Sequence, residues 1–260
     1  MSSINTNVSA MTALQTLTAT NKSLEETQNR IATGQRVSTA ADNAAYWSIA
    51  TGMRTQQGGL SAVQDALGLG AAIVDTAYSA LNDAIGVAQK IFEKYVARET
   101  PATDTTIIDA EITDLKAQVV QYAQGATFQG VNLLKTGGTD QDVVTGYESG
   151  TGVTTMTVTA YDLEAALSGA TDSVSVQTAI DAMRAAAASF GSAKTRIEAQ
   201  QTFTTSLSDA LDRGIGQLVD ADMNKESARL SALQVKQQLG IQALSIANSS
   251  SQSILSLFRG

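Results

Sequence analysis

From Leu60 to Tyr95, apolar or small residues recur at alternating intervals of three and four: Leu60, Val63, Leu67, Gly70, Val74, Ala77, Leu81, Ala84, Ala88, Ile91 and Tyr95. A helix presents these positions along one face, so the segment is a long helix with a partner beside it. At about 1.5 Å per residue, the stretch from about 57 to 98 reaches roughly 60 Å, too long for one face of a compact domain. An elongated bundle is expected. Composition allows it, because the 260 residues hold one proline, Pro101, which stops this first helix. A new cap over Thr103 to Thr106 then starts a shorter antiparallel helix with Ile108, Ile112, Leu115, Val119 and Tyr122 on one face.

Between about 125 and 172 glycines cluster and the period changes to two. Met156, Val158 and Ala160 alternate with Thr155, Thr157 and Thr159, which predicts a strand; Asp142 to Tyr147 is a weaker one, and Glu148 to Gly152 reads as the hairpin turn between them. Heptad spacing resumes from Val176 through Ile180, Met183, Ala187, Phe190 and Ile197 to Leu218. It breaks near Asp220 to Met223, then runs on through Leu230, Leu233, Gln237, Gly240, Leu244, Ala247, Ser251, Ile254 and Phe258. At the other end Leu14, Leu17, Asn21, Leu24, Gln28 and Ile31 follow the same spacing, preceded by Ile4, Val8 and Met11. The expected fold is mainly α: an elongated, coiled-coil-like helical bundle with a small β-hairpin region and with the N- and C-terminal helices paired. A Leu or Ile contributes about 1.5 to 3 kcal/mol only when a facing surface buries it. Both terminal seams, diluted by Asn, Gln, Ser and Gly, are therefore expected to be frayed in a free chain and ordered in an assembly. Polar slots at Gln237, Ser251, Lys194 and Gln201 are expected to leave the register adjustable.

Charge and composition narrow the function classes. A net charge of -8 lacks the clustered Lys and Arg that phosphate neutralisation needs, and the same sign disfavours an anionic membrane surface, so neither nucleic acid nor membrane is an expected partner. No apolar run approaches the roughly 20 residues of a membrane span. The start, Met1 to Asn7, has neither the basic nor the apolar part of a cleaved secretory signal. With no Cys and no His, thiolate metal sites, cysteine nucleophiles and Ser-His-Asp triads are excluded. No cofactor, metal or catalytic residue is expected. Gly68-Leu69-Gly70 and Gly214-Ile215-Gly216 complete no dinucleotide fingerprint and suit helix packing. Asp140-Gln141-Asp142 lacks the rest of a calcium loop, and Asp220 and Asp222 diverge on a helix. Trp47, beside Tyr46, is expected to be a packing anchor.

Asn29 to Ala45, reading NRIATGQRVSTAADNAA and flowing into Ile49-Ala50, resembles the N-terminal signature of bacterial flagellin. Ala123 to Leu134 is similar to that family's segment before its variable region. Ala221 to Ala228 followed by Leu230 to Gly260 is similar to its C-terminal helix, and Asp42 to Ala50 most resembles the rhizobial-type alphaproteobacterial form. The resemblance implies a subunit that polymerises into the extracellular flagellar filament and serves swimming motility. Such a chain is exported without a cleaved signal through the flagellar type III apparatus. It implies an inner, filament-core domain from residues 1–35 and 218–260, and an outer helical domain over 36–217 with a hairpin around 139–160. About 40 residues stand where relatives carry large outer domains. The self-assembly seam would comprise Ile4, Val8, Met11, Leu14, Leu17, Leu24, Ile31, Leu230, Leu233, Leu244, Ile254 and Phe258.

The partners implied are further copies of the chain, an export chaperone, the filament cap and hook-associated proteins. The segment that vertebrate Toll-like receptors recognise in the family maps to Lys90, Lys94 and Glu111, with lysines where Arg and Leu are usual, which implies weakened recognition. The departure at Ala41-Asp42-Asn43 implies weak plant elicitation by residues 29–50. A hook-filament junction protein also resembles flagellin at both ends, and a chemoreceptor-like signalling hairpin is likewise heptad-rich; the strand region at 125 to 172 is against the latter. An enzyme would be left with carboxylate and metal chemistry alone.

Overall fold

The computed structural model describes residues 7–100, 105–148, 150 and 152–259, with side chains described up to residue 249. Pro101 and part of the expected cap at Thr103 to Thr106 fall outside the described residues. The described residues form six helices and two antiparallel strand pairs, α1 (Val8–Thr33), α2 (Ala44–Arg98), α3 (Thr105–Gly125), β1 (Thr127–Phe128), β2 (Val131–Asn132), β3 (Gln141–Glu148), β4 (Gly152–Val158), α4 (Leu163–Ser168), α5 (Ser173–Val219) and α6 (Met223–Arg259). The mainly α fold expected from the sequence is what forms. The chain divides into a middle unit, Thr55–Leu211, and a terminal unit that joins Met1–Arg54 to Asp212–Gly260.

In the middle unit every position of the seam from Leu60 to Tyr95 is buried. The seam packs into one core with Ile112 and Val119 of α3 and with Val176, Ile180, Met183, Phe190 and Ile197 of α5. Each large side chain buried this way contributes about 1.5 to 3 kcal/mol. The helix α2 begins at Ala44, well before the seam, so the expected start near residue 57 is too late. Asn43 caps it by accepting a hydrogen bond from the Tyr46 backbone N–H at 3.1 Å, and Ala44, Ala45 and Ala50 favour helix in its first turns.

The expected strands pair as β3 and β4 with Val143 opposite Met156, and the register shifts between Val144 and Gly146. Val143, Met156 and Val158 face the core. Two glycines of α2 seat this hairpin: a Cβ on Gly59 would lie 2.5 Å from the Tyr147 ring, and one on Gly70 would collide with Val143. Glycine inside a helix costs about 1 kcal/mol relative to Ala, and here it admits a knob from the strand.

The short pair β1 and β2 and the helix α4 have no counterpart among the sequence expectations. The turn between β1 and β2 places Gln129 at φ 49 and Gly130 at φ 82, the left-handed pair of a tight hairpin turn. Asn132 then donates to the Ala123 carbonyl at 2.7 Å, ending α3, and accepts from Leu134 N at 2.8 Å. Beyond α4, the Ala170 carbonyl accepts from the Tyr95 hydroxyl at 3.0 Å and from Lys116 Nζ at 2.5 Å. The Lys116 ammonium also lies 5.7 Å from the Tyr95 ring centre, so α2, α3 and the α4–α5 turn meet at one side chain.

Candidate assembly surfaces of the two chain ends

In the terminal unit α1 and α6 lie antiparallel. Arg30 meets Glu226 at 3.5 Å, and Gln237 Nε2 donates to Asn21 Oδ1 at 2.9 Å. Leu17 sits against Gly240, and Asn7 Nδ2 donates to the Ala247 carbonyl at 2.9 Å. Helix ends fix this pair. Asn7 caps α1 by accepting from Ala10 N at 3.0 Å, and Gly34, at φ 69, ends it. Asp222 caps α6 by accepting from Asn224 N and Lys225 N, and both Asp220 and Asp222 lie between α5 and α6, not on a helix. Backbone bonds from Ala221 N to Gly34 O at 2.9 Å and from Arg36 N to Val219 O at 2.6 Å tie the two connections together, while Arg36 Nη2 caps α5 through the Leu218 carbonyl. Among the described residues no group of three or more acidic side chains could hold a metal ion.

The structure brings some expected seam residues together and leaves others outside. Leu17, Leu24 and Ile31 on α1 and Leu230, Leu233 and Leu244 on α6 are half-buried or buried. Val8, Met11 and Leu14 instead stand exposed, at 63%, 57% and 54%. The protected line of α1 runs through Ala10, Ala13, Leu17, Thr20, Leu24, Thr27 and Ile31, so Leu14, Asn21 and Gln28 lie one position past it. Small side chains let the helices close at that face. Ile4 lies outside the described residues, and Ile254 and Phe258 lie beyond the last described side chain.

The α6 residues Val235, Leu239 and Ile246, exposed on the face opposite its seam, belong to no expected set, though their spacing of four and seven was there to be read. Trp47, expected as a packing anchor, is 38% exposed among the described residues. Of the polar slots, Gln237 is bonded to Asn21 and Lys194 pairs with Asp75 at 2.7 Å in the middle unit, while Ser251 lies beyond the last described side chain.

Between α1 and α2 the chain turns around one carboxylate. Asp42 Oδ2 accepts from the backbone N–H and the hydroxyl of both Thr39 and Ser38. The Thr39 and Ser38 backbone donors come first in holding the Asp42 carboxyl below its usual range. A depressed acid stabilises above the ordinary value of 3.8, and that contribution is lost as pH falls through the lower folded value. The Ser38 and Thr39 amides of Asp42→Ala are expected to exchange about tenfold faster at pH 7. Acid below that lowered value has the same effect on the parent chain. Hydrogen exchange followed by NMR reads both, and unchanged rates in the variant would refute the cradle. Of the expected receptor positions, Lys90 is exposed, and Lys94 pairs with Glu111 at 2.5 Å across α2 and α3.

Comparison with known proteins accounts for this arrangement. Residues 4–139 match the model of the bacterial flagellin N-terminal helical region, and residues 174–258 match that of the bacterial flagellin C-terminal helical region. The chain belongs to the flagellin family. It is 50% identical to the flagellin of Brucella melitensis over 282 aligned positions, with 100% of each chain covered. It is 42% identical to flagellin C of Rhizobium meliloti over 320 positions, again covering 100% of both, so that relative carries residues this chain lacks. Flagellin FljM of Caulobacter vibrioides is 38% identical, with 100% of this chain and 99% of the relative covered. The alphaproteobacterial resemblance read from Asp42 to Ala50 is thus borne out. As a flagellin, the chain is a structural subunit that self-assembles into the extracellular flagellar filament of motile bacteria, and it is not an enzyme.

Proposed function

We propose that the terminal unit is the part of this flagellin that neighbouring copies bury in the filament. Its inner domain is residues 1–35 with 218–260, and the outer domain is 36–217 with the hairpin. One observation carries this: most of the large exposed apolar side chains belong to the terminal unit, while nearly all the fully buried ones belong to the middle unit. Apolar faces of this extent on a lone subunit are surfaces awaiting a partner. Leu17, Leu24, Ile31, Leu230, Leu233 and Leu244 close α1 on α6. Val8, Met11 and Leu14, with Val235, Leu239 and Ile246, take the neighbours, in heterologous contacts that extend into an open helix. Residues 36–217 expressed alone are expected to stay soluble and to leave filament seeds unextended; seeded growth from that piece would end the proposal.

Export through the flagellar type III apparatus without cleavage, an export chaperone, the filament cap and hook-associated proteins complete this reading on the support of family membership. Equal secretion by cells lacking the export apparatus would contradict it. Recognition by the vertebrate Toll-like receptor is weakened, because Glu111 is already engaged by Lys94. Lys94→Leu is expected to raise receptor reporter activity several-fold, and no rise would refute the pairing as the cause.

A further inference from the structure

We infer that the antiparallel register of α1 on α6 is set by polar rungs between them and not by their apolar seam. The four side-chain contacts, Arg30 with Glu226, Asn21 with Gln237, Leu17 on Gly240 and Asn7 with the Ala247 carbonyl, agree on one alignment. The seam itself cannot choose it. A slip of one heptad would place Leu17 on Ala247, Leu24 on Gly240 and Ile31 on Leu233, with apolar or small residues still facing each other. The rungs do not survive that slip.

Glu226 is only 7% exposed, and its Oε2 has no partner even in the native alignment, so Arg30 is the cation available to it across the pair. That slip carries Glu226 beyond the end of α1 at Thr33 and separates it from Arg30, so the pair that the native register makes is lost. Thr27, 1% exposed, adds a second buried polar side chain close by in α1. Farther along, Gly240 forms a notch: a Cβ there would lie 2.9 Å from Leu17 Cδ1. The Asn21–Gln237 amide pair, at the exposed edge of the two helices, adds a directional polar contact that only one register makes. Register matters to the proposed function because it aligns the outward apolar residues of both helices, but the test below does not depend on filament growth.

The chain has no cysteine, so engineered pairs report alignment directly. A Cβ at position 240 lies 3.9 Å from Leu17 Cβ, within the roughly 3.5 to 4.5 Å of a disulfide. The full chain carrying Leu17→Cys and Gly240→Cys is expected to crosslink within itself on mild oxidation, and Leu17→Cys with Ala247→Cys is expected to stay largely uncrosslinked. Replacing the rungs by Leu at positions 30, 226, 21 and 237 should raise the slipped crosslink about tenfold or more. With Asn21 and Gln237 kept, the exchange of Arg30→Glu and Glu226→Arg should return the native crosslink alone. Native crosslinking alone in the rung-free chain would assign the register to the seam and the backbone bridge at Gln35 and Asp220, and would overturn the inference. Sedimentation of the same variants onto seeds, measured separately, tells a failure of assembly from a failure of register.

Discussion

Leu239→Asp is expected to give a chain that folds like its parent and does not assemble. Leu239 is 56% exposed on the side of α6 away from α1, and substitutions at such positions change the stability of a free chain by no more than about 0.5 kcal/mol. Under the proposed assembly the same position lies against a neighbour, and a carboxylate placed there loses its water without gaining a cation. Several kcal/mol per buried ion, repeated at every subunit, corresponds to a critical concentration raised about a hundredfold or more. Circular dichroism checks the folding and sedimentation onto seeds reads the assembly. Growth of Leu239→Asp at the parent's critical concentration would show that this face stays in water.

The middle unit should respond in the opposite sense. Phe190 is 1% exposed at the centre of the core shared by α2, α3, β4 and α5, so Phe190→Ala removes both transfer energy and packing. The expected loss is about 3 to 5 kcal/mol, or a melting temperature lower by roughly 10 °C for a unit of this size. Leu14→Ala, by contrast, should leave the melting of the free chain unchanged and weaken seeded growth. Side-by-side thermal unfolding separates the two, and similar shifts would mean that the core does not end where the structure places it. On the proposed reading two units divide the labour, one stable by itself and one whose apolar faces are completed by copies.

Much of this was legible in the chain because the middle unit is built from local periodicity. The positions from Leu60 to Tyr95 and from Val176 to Ile197 declare their buried faces at heptad spacing, and the Thr-alternating strand declares its face at spacing two. Elsewhere the local signal was silent. The first turns of α2, before Leu60, continue no heptad seam, so only the Asn43 cap marks their start. The Leu163–Ser168 helix is too short to show a period. On α1 the positions that face α6 are mostly Ala and Thr, and a search for Leu and Ile therefore settled one position away, on Leu14. The partners of the polar slots were hidden for another reason: Asn21 bonds a residue 216 positions distant, and no window of sequence shows it.

Amide hydrogen exchange measured on the soluble chain and on the filament tests the central claim most directly. The account predicts fast exchange along Val8–Thr33 and residues 223–249 in the soluble chain, slowed about a hundredfold or more once copies are in place. The 60–95 stretch of α2 should be equally protected in both. Equal protection of the two chain ends before and after assembly would contradict it.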